Sequence, residues 1–288
     1  MENLLQTLLN GVLTSGIYII VTLGLTLVFG IMRIVNFAHG EFVMLGTYIT
    51  YWSFTLLGMN PYLTLIVCAV ILFFVGLGMY KAAIEQILDS PPINQVLITF
   101  GFSILLQNLA LIFWSANSIA INTQPQIMKI GTLQVGKDRM FVFLIGFAFA
   151  VLISIIVSRT SIGKTMSAVS QNRRAAYLLG INVPIVYLLT FGVSAAIAGI
   201  SGGLVSIVMY ASPYIGSKLG LRAFAILTLA GLGNINTIIV ASLILGLSES
   251  IISVYVPQGP GWAEGLSFLI ILLVLAFKPS GLKGMRAE

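Results

Sequence analysis

Long apolar runs separated by short polar segments are the dominant pattern of this sequence. Residues 63–79 and 141–157 are almost continuously hydrophobic, without the alternation of polar and apolar residues that a membrane-spanning β-strand shows. A segment exposed to lipid must satisfy its backbone hydrogen bonds internally, which leaves only helices or closed barrels. The uninterrupted runs therefore predict an all-α, polytopic integral membrane protein.

Nine apolar stretches are candidates for crossing a bilayer, since a spanning helix needs about 20 residues. Six of them lie near residues 8–31, 41–57, 62–80, 93–114, 140–158 and 185–209, and three more near residues 221–232, 235–254 and 262–277. The stretch at 221–232 is too short for an ordinary span, so it either crosses obliquely or enters and leaves on one side. We expect eight or nine transmembrane helices, some of them short or discontinuous, in a single domain over residues 1–288.

The composition agrees with a membrane protein, because 58% of the residues are hydrophobic and 8% are charged, whereas a soluble domain has about 25% charged residues. The formal charge of +6 comes from basic residues that stand singly or in pairs. A nucleic-acid-binding protein would instead gather them in a patch or stripe. We therefore expect membrane lipid, and no nucleic acid, as a partner of this chain.

Lysine and arginine mark the cytoplasmic loops of membrane proteins. Segment 159–184 has four basic residues and no acidic one, and the C-terminal tail is also basic; these residues are Arg159, Lys164, Arg173, Arg174, Lys278, Lys283 and Arg286. Both segments are predicted to be cytoplasmic. Segment 115–139 carries Lys129, Lys137 and Arg139 against Asp138, yet the alternation of spans places it on the outer face.

The basic segment 159–184 contains a short helical pattern of its own. Residues 165–179 are rich in helix-forming residues and are followed by Gly180, which suits a C-cap, and by Pro184. One apolar face is predicted from residues that recur at helical spacing, namely Ala168, Ala175, Ala176 and Leu179. Such a helix either docks on a partner or lies at the headgroups with its arginines on anionic lipid.

Two local motifs suggest enzymes, and each lacks a necessary part. The run GKT at residues 163–165 resembles the end of a P-loop, but that motif requires a glycine where this chain has Ser158. The run GISG at residues 199–202 resembles the serine motif of an intramembrane protease, in which a later span supplies a histidine base. The single histidine here, His39, lies several spans before Ser201. The sequence therefore predicts no catalytic residue, no bound nucleotide and no metal site on this chain.

A dense polar interruption between the first two spans is a candidate for a substrate path. It contains Asn36, His39, Gly40 and Glu41, and polar residues at membrane depth often line such a path. Asn36 or Gly40 would open a second half-helix, whose N-terminal amides attract a carboxylate. In the alternative interpretation the segment is an interfacial hairpin, in which Asn36 caps the next helix and His39 lies at the headgroups.

A second interruption contains Gly231, Gly233 and Asn234 and predicts another helix break. Paired interruptions in the two halves of a transporter point towards its binding site. Glu249 is an acid within a late span. It either lies on the path or accepts hydrogen bonds from the neighbouring serines, Ser248, Ser250 and Ser253.

Taken together, these segments resemble the LivH family of ATP-binding-cassette importer permeases. The similarity is carried by ordered motifs at residues 36–42, 168–172, 175–183, 231–235, 246–249 and 278–282. No single motif is decisive, and their common order over most of the chain makes the resemblance strong. The chain departs from the family pattern at Arg173 and Arg174, where an acidic residue or a proline is expected in many relatives.

The resemblance implies a type II importer permease in the inner membrane of a bacterium. Such a permease pairs with a second, homologous permease, takes substrate from a periplasmic binding protein and docks two cytoplasmic ATPase subunits. Those subunits would hold ATP and magnesium, so no cofactor is expected on this chain.

The resemblance also implies roles for the residues already named. Coupling to the ATPases would involve Ala168, Gln171, Asn172, Arg173, Arg174, Ala175, Ala176, Leu179 and Gly180. The translocation pathway would involve Asn36, His39, Gly40, Glu41, Gly231, Gly233, Asn234 and Glu249. The substrates would be branched-chain or other neutral amino acids, with urea and small amides as an alternative in the same class of importer.

A stand-alone secondary carrier is the alternative from a different class. It would need an internal relay of acids and cations, and the apolar runs offer Glu41, Glu249 and a few interfacial charges.

Overall fold

The structure is a computed structural model that describes residues 2–121, 126–231, 233–278 and 280–282. Some residues used in the sequence analysis lie outside this part of the chain, namely Leu232, Pro279, Lys283 and Arg286.

The described residues form eleven α-helices and one short hairpin. The helices are α1 (Glu2–Met32), α2 (His39–Leu57), α3 (Thr64–Met79), α4 (Pro92–Trp114), α5 (Lys137–Arg159), α6 (Ser161–Gln171), α7 (Arg173–Leu178), α8 (Val183–Val208), α9 (Ile215–Ala230), α10 (Ile235–Tyr255) and α11 (Gly259–Phe277). A π-helical turn (Tyr80–Ile84) and a 3-10 turn (Glu85–Ile87) continue α3. Strands β1 (Ile127–Ile130) and β2 (Leu133–Gly136) pair antiparallel, and this hairpin departs from the all-helical prediction.

Seven helices of the described chain are long and apolar enough to cross a membrane: α1, α3 with its continuation, α4, α5, α8, α10 and α11. Two further helices, α2 with 19 residues and α9 with 16 residues, lie among them. Residues 221–230 of the predicted stretch form the second part of α9, which begins earlier, at Ile215. The chain is therefore a polytopic helical membrane protein, as the hydrophobic pattern predicted.

Each end of the bundle has its own landmarks. At the end that we call the hairpin end, the side chain of Gln6 in α1 bonds the backbone of Gln134 in β2 at 2.9 Å. Ile119 pairs there with Ala211, shortly before α9. At the opposite end, which we call the α6 end, a cavity is lined by residues of α6 and by Gly233, shortly after α9. Helix α9 runs from beside the start of α2 to the α6 end, so the chain between Ala211 and Gly233 does not enter and leave on one side.

Helices α1 and α8 form the centre of the bundle. α1 packs against α5, α8, α9 and α10, and α8 also packs against α2 and α3. The peripheral helices expose large apolar side chains such as Phe74, Ile112 and Phe268. This exposure suits a surface surrounded by lipid tails, which are as apolar as leucine.

Small residues allow the closest approach between α2 and α8. A Cβ built on Gly202 of α8 would lie 2.8 Å from the Cα of Gly46 in α2 and would collide with the carbonyl of Val43. In the same stretch Ser201 is fully buried and donates to the carbonyl of Ala198 at 2.7 Å. The stretch at 199–203 is therefore a packing face of small residues.

Replacing Gly202 by valine should destabilise the bundle, because the added side chain would enter the contact between α2 and α8. Overpacking of a close-packed interior costs about 1–3 kcal/mol, so we expect a lower melting temperature of the purified protein in detergent. Gly78→Val and Gly101→Val are matched controls, since a Cβ on either helical glycine meets no atom within 4 Å. Equal melting temperatures for all three variants would contradict the packing role of Gly202.

Candidate functional site

The chain between α1 and α2 turns back into the bundle. Arg33 begins the turn with a φ of 56°, and Nε2 of His39 then donates to the carbonyl of Val21 in α1 at 2.9 Å. Val21 lies roughly 16 Å before the end of α1 at Met32, at a rise of 1.5 Å per residue. Because α2 starts this deep in the bundle, the discontinuous helix is confirmed, and His39 does not lie at the headgroups.

Asn36 and Gly40 shape the start of α2 in different ways. The side-chain Oδ1 of Asn36 accepts from the backbone N–H of Ala38 at 3.1 Å, whereas the helix itself begins at His39. Asn36 therefore closes the turn before α2, and neither it nor Gly40 is the first residue of the helix. Gly40 lets α9 approach, since a Cβ there would collide with Gly216 of α9.

Glu41 lies where α2, α4 and α9 meet, and it is only 1% exposed. Its Oε1 accepts from the hydroxyl of Ser103 in α4 at 3.0 Å. Its Oε2 faces α9, where a Cβ on Gly216 would lie 2.6 Å away, and has no hydrogen-bond partner among the described residues. Burying a carboxylate oxygen without a donor is costly, so Glu41 is the strongest candidate for contact with a ligand.

Gly231, Gly233 and Asn234 form the tight link between α9 and α10. The two glycines have φ angles of 96° and 83°, in the left-handed region that glycine adopts readily. The Asn234 side chain accepts from the backbone N–H of Asn236 at 3.1 Å. The predicted helix break is thereby confirmed, but Gly231 lies roughly 22 Å along α9 from Gly216, so the two interruptions do not meet at one site.

Glu249 belongs to a largely buried ion pair that the sequence analysis missed. Its Oε1 accepts from Nε of Arg222 in α9 at 2.9 Å, and its Oε2 accepts from the hydroxyl of Tyr18 in α1. The predicted alternative of bonds to neighbouring serines is wrong, since Ser250 instead donates to the carbonyl of Thr7. Arg222 was the signal that could have revealed the pair, because a lone cation in an apolar run needs a counter-charge.

Segment 159–184 folds into two helices, where one helix over 165–179 was predicted. The chain breaks at Asn172, whose φ is −152° and whose side chain accepts from the backbone N–H of Ala175. The predicted single apolar face is also wrong, because Val169 and Ala176 are buried while Leu179 is 80% exposed. Of the other coupling candidates, Ala168 is half-buried, and Gln171, Asn172, Arg173, Arg174, Ala175 and Gly180 are exposed.

The two arginines of this segment have different surroundings. Arg173 donates from Nη1 to Asp89, in the turn before α4, at 2.6 Å, and its guanidinium lies over the ring of Tyr187 at 5.8 Å from the centroid. Arg174 is exposed. Arg173 therefore ties α7 to the start of α4, and only Arg174 offers its charge to a partner.

The tip of α7 exposes three consecutive large side chains. Tyr177, Leu178 and Leu179 are 68%, 79% and 80% exposed, although the neighbouring Gln171, Arg173 and Arg174 are polar. Exposed apolar side chains that cluster beside polar ones often mark an interaction site.

Comparison with known proteins places these features in a family context. The chain matches the family model described as branched-chain amino acid transport system / permease component over residues 7–275. It is 28% identical to the high-affinity branched-chain amino acid transport system permease protein LivH of Escherichia coli (strain K12), with 97% of this chain and 95% of that protein covered. The corresponding protein BraD of Pseudomonas aeruginosa is also 28% identical, with the same coverage. The permease protein LivM of Escherichia coli is 25% identical, over 93% of this chain and 68% of that protein. No solved structure matched.

Removing one partner of the Arg222–Glu249 pair should destabilise the protein more than removing both partners. Glu249→Leu alone leaves a largely buried arginine without its ion-pair partner, which costs up to about 3–5 kcal/mol, whereas the Arg222→Met, Glu249→Leu double variant should regain most of that stability. Melting temperatures in detergent, arranged as a double-mutant cycle, would measure the coupling. The exposed pair Lys81–Glu85, at 2.9 Å, is the control, and its removal should cost less than about 1 kcal/mol. Purely additive effects at Arg222 and Glu249 would contradict the pairing.

Proposed function

This chain belongs to the family of branched-chain amino acid transport system permease components, and we propose that it forms one half of the pore of a type II ATP-binding-cassette importer. The observation that carries this proposal is the tip of α7, where Tyr177, Leu178 and Leu179 are exposed outside the spanning helices. An ATPase subunit would cover this tip, since burying apolar surface contributes about 25 cal/mol per Å² to the free energy of association.

The surroundings of the α7 tip support a coupling role. The exposed residues Gln171, Asn172, Arg174, Ala175 and Gly180 would border the contact with the ATPase, while Ala176 packs inside the protein. Arg173 would lie beside the contact, where its exposed ion pair with Asp89 meets the start of α4. ATP and magnesium would be held by the two ATPase subunits, so this chain would catalyse no reaction itself.

A second, homologous permease would complete the pore. The chain is similar both to a LivH and to a LivM protein of Escherichia coli, and each is named as a permease protein of a high-affinity branched-chain amino acid transport system. A pair of related permeases is the simplest explanation of this double similarity.

The remaining partners follow from the two ends of the bundle. The basic segment 159–184 favours the cytoplasmic side for the α6 end, so the hairpin end would face the periplasm. A substrate-binding protein would deliver its ligand there, and the membrane would be the inner membrane of a bacterium.

The substrates would be branched-chain or other neutral amino acids, as named for the relatives. Urea and small amides are the alternative substrates of the same importer class. A carrier that works alone is less well supported, because Glu249 is already paired with Arg222, and an ion relay needs acids that are free to exchange ions or protons.

Leucine uptake into proteoliposomes should require the partner proteins and ATP. We expect ATP-dependent uptake by this chain together with the second permease, the two ATPases and the binding protein, and no uptake by this chain alone. Urea and acetamide tested in the same vesicles would identify the alternative substrates. Uptake by the purified chain without ATPase subunits would contradict the importer and establish the stand-alone carrier.

Replacing both Leu178 and Leu179 by serine should weaken the association with the ATPase subunits. The two side chains are about 80% exposed, so the isolated permease should keep its melting temperature, while the loss of two apolar contacts should reduce affinity by roughly 10- to 100-fold. Co-purification and binding titration would measure this.

The matched control for the α7 tip is the Leu56→Ser, Leu57→Ser double variant. This pair is 71% exposed at the end of α2 and lies away from α7. Arg174→Glu tests the charge separately. Unchanged association of the Leu178→Ser, Leu179→Ser variant would exclude docking through the tip.

A further inference from the structure

One face of α2 is covered by α4. Two residues on this face have polar atoms without a hydrogen-bond partner in the described part of the chain. Oε2 of Glu41 and the hydroxyl of Tyr48 have no hydrogen-bond partner among the described residues. The two residues are seven positions apart, so they lie on the same face two turns from each other. Ser103 of α4 bonds Glu41, and Trp114 of α4 stacks on Tyr48 with ring centroids 4.1 Å apart.

Helix α4 is a lightly attached cover. Of its 23 residues only Thr99 and Ala110 are buried. Its start is tied to the rest of the protein through the hydroxyl of Thr99, which donates to the carbonyl of Val35 at 3.2 Å. Few buried contacts are typical of an element that opens locally at low cost. Moving α4 off α2 would break the Ser103–Glu41 bond and the Trp114–Tyr48 stack and would leave the core of α1 and α8 in place.

The uncovered Glu41 would match a cation that brings its own N–H groups. Among the described residues Glu41 takes part in no ion pair closer than 4.0 Å, and it accepts a single hydrogen bond. An ammonium group supplies three donors and a positive charge. It would satisfy Oε2 and neutralise the carboxylate at once.

The start of α9 supplies the opposite charge beside Glu41. α9 begins at Ile215, and Gly216 lies directly against Oε2 of Glu41. The N-terminus of a helix has unpaired N–H groups and a partial positive charge that favour a carboxylate. A carboxylate acceptor and a helix N-terminus therefore stand side by side, in the arrangement that a zwitterion needs.

We propose that Glu41, Ser103 and the start of α9 form a transient site for the ammonium and carboxylate groups of an α-amino acid, uncovered when α4 moves off α2. The site would recognise the part common to all amino acids and leave the substrate side chain to other contacts. This inference rests on the proposed function, since it names the substrate class that the pore admits.

The test is leucine uptake by the complete importer, with both permeases, both ATPases and the binding protein in proteoliposomes. Glu41→Gln keeps the shape of the side chain and removes its charge, and uptake per complex should fall roughly 10- to 100-fold. ATP hydrolysis stimulated by the leucine-loaded binding protein should stay near the wild-type rate. Glu41→Asp keeps the carboxylate and should retain more uptake than Glu41→Gln.

Each other outcome has a definite meaning. Wild-type uptake by Glu41→Gln would overturn the site while leaving the importer intact, and loss of both uptake and ATP hydrolysis in an assembled complex would make Glu41 a structural residue. A wild-type complex that moves no leucine, or that moves urea but not leucine, would contradict the proposed substrate class itself and the site with it.

If the Glu41→Gln complex does not assemble, a second pair of variants tests the proposed site. Ser103→Ala removes the hydroxyl that orients Glu41 and should reduce leucine uptake severalfold. Asn108→Ala is the control on the same helix, because that exposed side chain donates only to the carbonyl of Ile104, at 2.8 Å. Equal uptake by the Ser103→Ala and Asn108→Ala variants would overturn the site.

Discussion

The start of α2 inside the bundle is the constraint on which the surrounding structure depends. A helix begins with backbone N–H groups that have no partner in the helix, and hydrocarbon cannot satisfy them. The protein meets this need with its own groups. Asn36 accepts from the N–H of Ala38 with its side chain and from the N–H of His39 with its carbonyl. The side chains of His39 and Thr99 then tie the break to its surroundings, because they donate to the carbonyls of Val21 and Val35. The break is therefore held by the contacts that α1, α4 and α9 make with it.

Enclosing the break requires close helix crossings, which explains where the glycines lie. Gly40 faces Gly216 of α9, and Gly46 faces Gly199 and Gly202 of α8. With α9 held this close to α2, its other side is turned towards α1 and α10, and Arg222 reaches Glu249 there. A polar interruption in one loop thus determines the packing of three helices and the position of a buried ion pair.

Features encoded by local sequence were predictable, and those that depend on distant contacts were not. The spans and both helix breaks follow from hydrophobic runs and from glycine and polar residues within a few positions. The partner of Glu249 was missed because Arg222 and Tyr18 are 27 and 231 positions away. The break at Asn172 was missed because its neighbours favour a helix, while its side chain caps the next helix, α7.

The two intramembrane acids show why burial alone does not identify a functional residue. Glu249 and Glu41 are both buried, yet Glu249 has a cation and a hydroxyl on its two oxygens, whereas Glu41 has one hydroxyl on one oxygen. A satisfied pair holds helices together and resists change, since breaking it leaves a charge without a partner. A half-satisfied carboxylate under a lightly attached helix gains a partner when a cationic group arrives. The difference in hydrogen bonding, not the shared burial, is the reason for proposing a structural role for Glu249 and a ligand-binding role for Glu41.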